Sequence, residues 1–361
     1  MKYIIPHDAI ILCNKETQGQ FDATKVCNTI YGLKSNERRL WELELHVTNN
    51  CNLKCRECSY ASRRDNDYLT AEVVDKTVNE AIENGVKTIF VSGGGDPTVW
   101  REWNKFFINK EKYSKVDWGI ATNAINLISS LGEHIDFFSL YQIHLLGYDH
   151  ESVKKEAGID VYDRMDKSLK YLLKNKSPNT QVTLKFLLND NNIGEVTKYL
   201  DYIEDLSPDI VIMKLAQDFL HNENRYFREK YKKIVDKVGK HTIMKNFDTI
   251  ISSMDSKPFD DLGDPVKCWV SEMGLYFLVR GNGDVYPCVA ASYANENNVG
   301  NIHTESISDI LNNKKELKNL HEKMHKGICP LNACRHYRFS KLIEEYKKGN
   351  ITTQEPDCLL L

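Results

Sequence analysis

The run His46-Val-Thr-Asn-Asn-Cys51-Asn-Leu-Lys-Cys55-Arg-Glu-Cys58-Ser-Tyr60 brings three thiols into one short loop. It follows Trp41-Glu-Leu-Glu-Leu-His-Val47, whose alternating polar and apolar side chains predict a strand that delivers the loop. Thiolates are soft ligands, suited to zinc or to iron–sulfur clusters. Three cysteines on a four-iron cluster leave one iron without a protein ligand, and chemistry can happen at that open corner. Taken alone, the triplet also reads as a zinc knuckle or a reduced structural cluster.

Outward from this loop the chain repeats a strand–helix pattern. Strands are predicted over 41–47, 87–91, 117–121, 137–146, 181–188 and 209–213. Helices are predicted after the Thr70 N-cap up to Gly85, around 127–131, over 162–174, over 196–206 and near 224–240. Six alternating units argue for a parallel α/β sheet, too few for a closed eight-fold barrel and so an open partial (β/α)6 barrel of TIM-like type. In such folds chemistry collects at the strands' C-terminal ends. Cys51, Cys55, Cys58, the run Gly93-Gly94-Gly95-Asp96-Pro97, Thr122, Asn123 and His144 all follow predicted strands and are expected to converge there.

The chain has 361 residues, 41% of them hydrophobic and 27% charged, enough for one large domain and a smaller one. A net charge of −3 provides no basic field for nucleic acid. No stretch reaches membrane-spanning length, and the N-terminal apolar run is too short for a signal peptide. The ten cysteines are therefore expected in a reducing cytoplasm, as ligands or thiols rather than disulfides. Cys13 and Cys27 lack metal-like spacing and read as packing residues; residues 1–40 read as an N-terminal extension. Composition shifts near residue 250, where Pro258, Gly263 and Pro265 precede a second cysteine set: Cys268, Cys288, Cys329 and Cys334. Four cysteines can saturate a second four-iron cluster or hold a structural zinc. Cys358, in the tail at 341–361, reads as a spare ligand, a hydrogen-atom donor or, the favoured reading, inert.

The spacing Cys51-x3-Cys55-x2-Cys58, with Asn-Leu-Lys inside it and Thr-Asn-Asn before it, resembles the radical S-adenosylmethionine (SAM) enzymes. Glu57 departs from the aromatic residue common there, with Tyr60 a substitute for its adenine contact. Gly93-Gly94-Gly95-Asp96-Pro97 resembles the element that holds the SAM amino group, with Asp96 in place of Glu. Thr122-Asn123-Ala124 resembles the family's Thr-Asn-Gly, and His144 stands at a serine position of its fourth strand. The portion from Cys268 through Gly283 to Cys288 resembles the start of the SPASM extension, with a cysteine count closer to the single-cluster "twitch" form.

This resemblance implies a radical SAM core over 41–245 and an auxiliary-cluster domain over 246–340. It implies an open four-iron cluster on Cys51, Cys55 and Cys58, and reductive cleavage of SAM to a deoxyadenosyl radical that abstracts a substrate hydrogen atom. It further implies an auxiliary four-iron cluster that relays an electron, and a flavodoxin- or ferredoxin-type donor. His144, also a candidate SAM contact, and Lys185 are candidate catalytic residues lining the barrel. Three readings stand: modification of a ribosomally made peptide by crosslinking, epimerisation or oxidation; dehydrogenation or epimerisation of a small molecule such as a sugar or alcohol; and a zinc-binding scaffold without catalysis.

Overall fold

The computed structural model describes residues 9–14, 40–60, 66–189, 191–215, 234, 236–252, 267–313, 317, 340, 343–344 and 347–349. The strands are β1 (Ala9–Asn14), β2 (Glu42–His46), β3 (Thr88–Ser92), β4 (Asp117–Thr122), β5 (Leu140–His144), β6 (Gln181–Leu188), β7 (Ile210–Leu215), β8 (Phe247–Ser252), β9 (Tyr276–Val279), β10 (Asp284–Tyr286) and β11 (Gly300–Asn301). All join one sheet in the order β11-β10-β9-β2-β3-β4-β5-β6-β7-β1-β8. From β2 to β7 neighbours pair in parallel and in chain order. These are the six expected units.

Helices α1 (Ala71–Glu83), α2 (Trp103–Phe107), α3 (Leu127–Leu131), α4 (His150–Ala157), α5 (Tyr162–Asn175) and α6 (Val196–Leu206) make the crossovers, while α7 (Trp269–Met273) precedes β9 and α8 (Ile307–Asn312) follows β11. The Thr70 hydroxyl accepts from the Val73 N–H at 3.4 Å and starts α1, a cap of a kind worth about 1 kcal/mol. The predicted helix near 224–240 lies mostly outside the described residues, with 236–239 helical.

Strand alternation sets the two faces of the sheet. One row of side chains, including Leu43, Leu45, Ile89, Val91, Ile120, Ile143, Leu184, Phe186, Val211 and Met213, is buried in a common core with Val78, Met165, Leu169, Leu172 and Leu200 of the helices. Burial of side chains this size contributes roughly 1.5–3 kcal/mol each, which is what holds the helices on the sheet. The other row carries Glu44, His46, Phe90, Ser92, Ala121, Gln142, His144, Thr183 and Lys185 and faces the lumen, so the polar side of the β2 alternation points inward. Gly119 shares that face: a Cβ there would lie 2.5 Å from the Phe90 ring.

Two additions extend the parallel unit. β1 runs antiparallel between β7 and β8, which puts residues 9–14 of the N-terminal segment inside the sheet and places Cys13 opposite Ile210. On the opposite flank β9 pairs in parallel with β2, Glu42 opposite Tyr276, and leads the antiparallel β10 and β11. The residues after 246 thus contribute to both edges of one sheet, because backbone pairing continues across the shift in composition.

Candidate active site

The cysteine loop is clamped at its base from two sides. On one side the Asn49 N–H donates to Asp67 O and the Leu69 N–H to Val47 O, both at 2.9 Å. On the other side the glycine run after β3 closes in: the Gly95 N–H donates to Thr48 O at 3.1 Å and the Asp96 N–H to Asn50 O at 2.9 Å. A Cβ on Gly94 would lie 2.3 Å from Asn49 Oδ1, and one on Gly95 would lie 1.7 Å from Asn50 O. Gly95 is needed because two stretches of backbone touch there, and Gly94 because the Asn49 side chain fills the space a Cβ would take. At its far end the loop is held by the Arg56 N–H, which donates to Glu156 O of α4 at 3.2 Å.

Between these anchors Leu53 is buried and the thiols of Cys51, Cys55 and Cys58 are half-buried. The Leu53 N–H points at Cys51 Sγ, 3.4 Å away. Beside it the Asn52 amide nitrogen is buried with no hydrogen-bond partner. Three soft donors, an N–H aimed at a sulfur and an unsatisfied amide suit a sulfide-rich anionic cluster whose sulfur atoms accept hydrogen bonds. Glu57 is exposed beside Arg56, 3.8 Å away, on the outer side of the loop.

Asp96 ties the ends of β3 and β4 together. Its carboxylate accepts from the Thr98 N–H (2.9 Å), the Thr98 hydroxyl (2.5 Å), the Thr122 hydroxyl (2.9 Å) and the Asn123 N–H (2.7 Å). Burial pushes the carboxyl above the ordinary aspartate range, and these donors oppose that rise. With 4% exposure and its lone pairs occupied, Asp96 does not offer the open acceptor for a ligand ammonium that the sequence suggests. It instead fixes Thr122 and Asn123, and the Asn123 amide donates to Asn52 Oδ1 of the cysteine loop at 2.8 Å. Ala124, at the family's glycine position, has φ +62°, a left-handed conformation that explains why glycine suits it.

His144 and Lys185 stand side by side, in register at the ends of β5 and β6. Leu184 and Phe186 point the other way into the core, as expected from alternation. His144 is accessible from the lumen, yet protein encloses it enough that burial, followed by the Lys185 ammonium, pulls its imidazole down to about 4. It is therefore neutral near pH 7, a hydrogen-bonding group rather than a cation. A folded-state value below the ordinary 6.5 means that the unfolded chain takes up the proton first. Stability then falls as pH drops from 6.5 toward 4. His144→Gln is expected to flatten that part of the profile, measured as thermal unfolding across the window; an unchanged slope would remove His144 from the effect.

The sequence reading passed over a polar group below the loop. Glu44 is 6% exposed and its carboxylate accepts from the Ser92 hydroxyl at 2.5 Å, from the Tyr276 hydroxyl of β9, and lies 3.1 Å from His46 Nε2. The signal was present as three polar residues on one side of an otherwise apolar strand. Tyr60, half-buried, belongs to this neighbourhood. Its ring meets His46 edge-on at 5.3 Å and Tyr293 at 5.5 Å, and burial, then Tyr293, push its phenol well above the ordinary range.

Of the second cysteine set, Cys268 and Cys288 are described and half-buried; Cys329 and Cys334 lie outside the described residues, as do Cys27 and Cys358. Cys268 caps α7, and Cys288 Sγ faces the Ala291 N–H at 3.3 Å. Among the described residues no helix is long and apolar enough to cross a membrane, and no three His, Cys, Asp or Glu side chains converge as a single-ion site.

Comparison with known proteins bears on this arrangement. The profile of the radical SAM superfamily matches residues 45–203, and that of SPASM, an iron–sulfur cluster-binding domain, matches residues 268–336. Among curated sequences, a probable GTP 3′,8-cyclase of Saccharolobus islandicus is 24% identical over 172 residues, covering 47% of this chain and 54% of that protein. The chain thus spans about half the length of the curated relatives it matches first. Among solved structures, Streptococcus suis SuiB bound to its precursor peptide SuiA aligns with a TM-score of 0.60 at 16% identity, over 89% of this chain and 77% of SuiB. The enzyme anSMEcpe with bound AdoMet and the Cp18Cys peptide aligns with a TM-score of 0.58 at 17% identity, over 82% and 88% of the two chains. The chain belongs to the radical SAM superfamily and carries a C-terminal SPASM iron–sulfur cluster-binding domain.

Proposed function

We propose that this chain is a peptide-modifying radical SAM enzyme, acting on a ribosomally made precursor by crosslinking, epimerisation or oxidation. The observation that carries the reading is the continuous sheet, in which the SPASM strand β9 pairs with β2 beside the cysteine loop. The fold aligns over most of the chain with two structures that hold peptides, SuiB with SuiA and anSMEcpe with Cp18Cys. Cys51, Cys55 and Cys58 would hold a four-iron cluster, and Cys268, Cys288, Cys329 and Cys334 would hold an auxiliary one. When bound, the proximal cluster and SAM supply one-electron cleavage of SAM and removal of a hydrogen atom from the substrate.

The rest is the work of this chain's own residues. Gly93, Gly94, Gly95, Thr122 and Asn123 would hold SAM, Asp96 fixes the ends of β3 and β4 that carry them, and the buried Asn52 amide would donate to the cluster or to SAM. His144 and Lys185 face the substrate across the lumen, one neutral and one cationic at pH 7. A small-molecule substrate is the second reading, favoured by the sequence likeness to probable GTP 3′,8-cyclases. A soluble flavodoxin or ferredoxin supplies the electron.

Anaerobic protein reconstituted with iron and sulfide should release 5′-deoxyadenosine from SAM under reduction and give a SAM-dependent mass change on a precursor peptide encoded beside its gene. Deoxyadenosine without any peptide mass change, but with turnover of a sugar, alcohol or nucleotide, would favour the second reading. Zinc without iron, and no deoxyadenosine, would remove both.

A further inference from the structure

Tyr60 lies two residues beyond Cys58, and its ring touches the turn that carries Cys288. That turn is a single 3-10 helix, Ala291–Tyr293, folded back on the cysteine: the Ser292 N–H donates to Cys288 O at 3.3 Å and the Ala291 N–H points at Cys288 Sγ. One contact crosses from Tyr60 to it: the rings of Tyr60 and Tyr293 lie 5.5 Å apart and tilted by 39°. Behind Tyr60, His46 and the Glu44 network fix the ring and tie β2 to β9 through Tyr276. A continuous path of bonds and contacts therefore leads from Cys58 through Ser59 and Tyr60, into Tyr293 and Ser292, and on to Cys288.

We propose that the Tyr60–Tyr293 contact is the bridge over which an electron passes between the two cluster sites, an inference that rests on both cysteine sets carrying four-iron clusters. In the step, the reduced distal cluster loses one electron and the oxidised proximal cluster gains it. No bond forms or breaks, and both phenols keep their protons. The rings serve as polarizable material filling the gap, so a phenyl ring should serve nearly as well as a phenol, and an aliphatic side chain should not.

The test is the rate of electron exchange between clusters in the reconstituted full chain, followed by rapid-freeze electron paramagnetic resonance after a pulse of photoreductant, with iron and sulfide content measured alongside. Tyr60→Leu and Tyr293→Leu are expected to slow exchange by an order of magnitude or more at unchanged iron content, and Tyr60→Phe to retain most of the wild-type rate. If Tyr60→Leu sheds iron, Tyr293→Leu decides, because it lies on the far side of the contact. Wild-type exchange in a fully loaded leucine variant overturns the bridge alone, as does a Phe variant as slow as Leu. A wild-type chain that loads only the proximal cluster overturns the bridge together with the auxiliary-cluster reading.

Discussion

Gly95→Ala is expected to cost the protein its proximal iron while leaving the barrel folded. A Cβ at residue 95 would stand 1.7 Å from Asn50 O, 2.3 Å from Asn50 C and 2.7 Å from Asn49 C. All three atoms are backbone, so no side chain can swing aside. The same residue donates its N–H to Thr48 O, and its neighbour Asp96 donates to Asn50 O, so the bonds that hold the loop are the ones the methyl would part. Overpacking of this kind typically costs about 1–3 kcal/mol, and here the strain falls on the residue before Cys51. The expected result is a lowered melting temperature with near-complete loss of loop-bound iron and of deoxyadenosine formation. Gly194→Ala, where an added Cβ meets nothing within 4 Å, is the matched control and should behave as wild type. Normal iron content in Gly95→Ala would show that the loop can shift without harm.

This contact also marks the limit of what the sequence discloses. β2 to β7 were legible because each carries an apolar row facing a helix, and alternation alone separates Leu184 and Phe186 from Lys185. β1 and β8 to β11 were not, because they pair antiparallel or with strands far off in the chain, which leaves little local pattern. The cysteine triplet and the glycine run were visible as motifs. What a motif hides is the direction of each polar atom. Asp96 reads equally as a ligand for an ammonium group and as a framework acceptor, and only the positions of Thr98, Thr122 and Asn123 assign it to the framework. Tyr60 was singled out for its place near Cys58, but its partner, Tyr293, stands far along the chain. Glu44 and His46 show in the sequence only as strand alternation, because nothing there says that the polar face of β2 is the enclosed one.

Single cysteine substitutions should separate the two sites cleanly. Replacing Cys51, Cys55 or Cys58 with Ala leaves two thiolates on a loop whose ends are fixed by Gly95, Asp96 and α4, and no other described cysteine shares that loop. A cluster held by two ligands is lost, so each variant is expected to drop deoxyadenosine formation to background while the distal set keeps its iron. Cys288→Ala acts on a different element: the sulfur it removes sits in the turn after β10 and takes its N–H contact from Ala291, not from the loop. That variant is expected to keep reductive SAM cleavage, because the proximal donors and their clamps are untouched. It should nonetheless fail to complete an oxidation or crosslink, because the substrate radical left by hydrogen removal has no distal acceptor for its second electron. Iron content, deoxyadenosine yield and substrate conversion, measured on the same preparations, distinguish the patterns. Full substrate conversion by Cys288→Ala would show that the distal set only shapes the protein, and then the sheet pairing of β9 with β2 would be its whole contribution to the site.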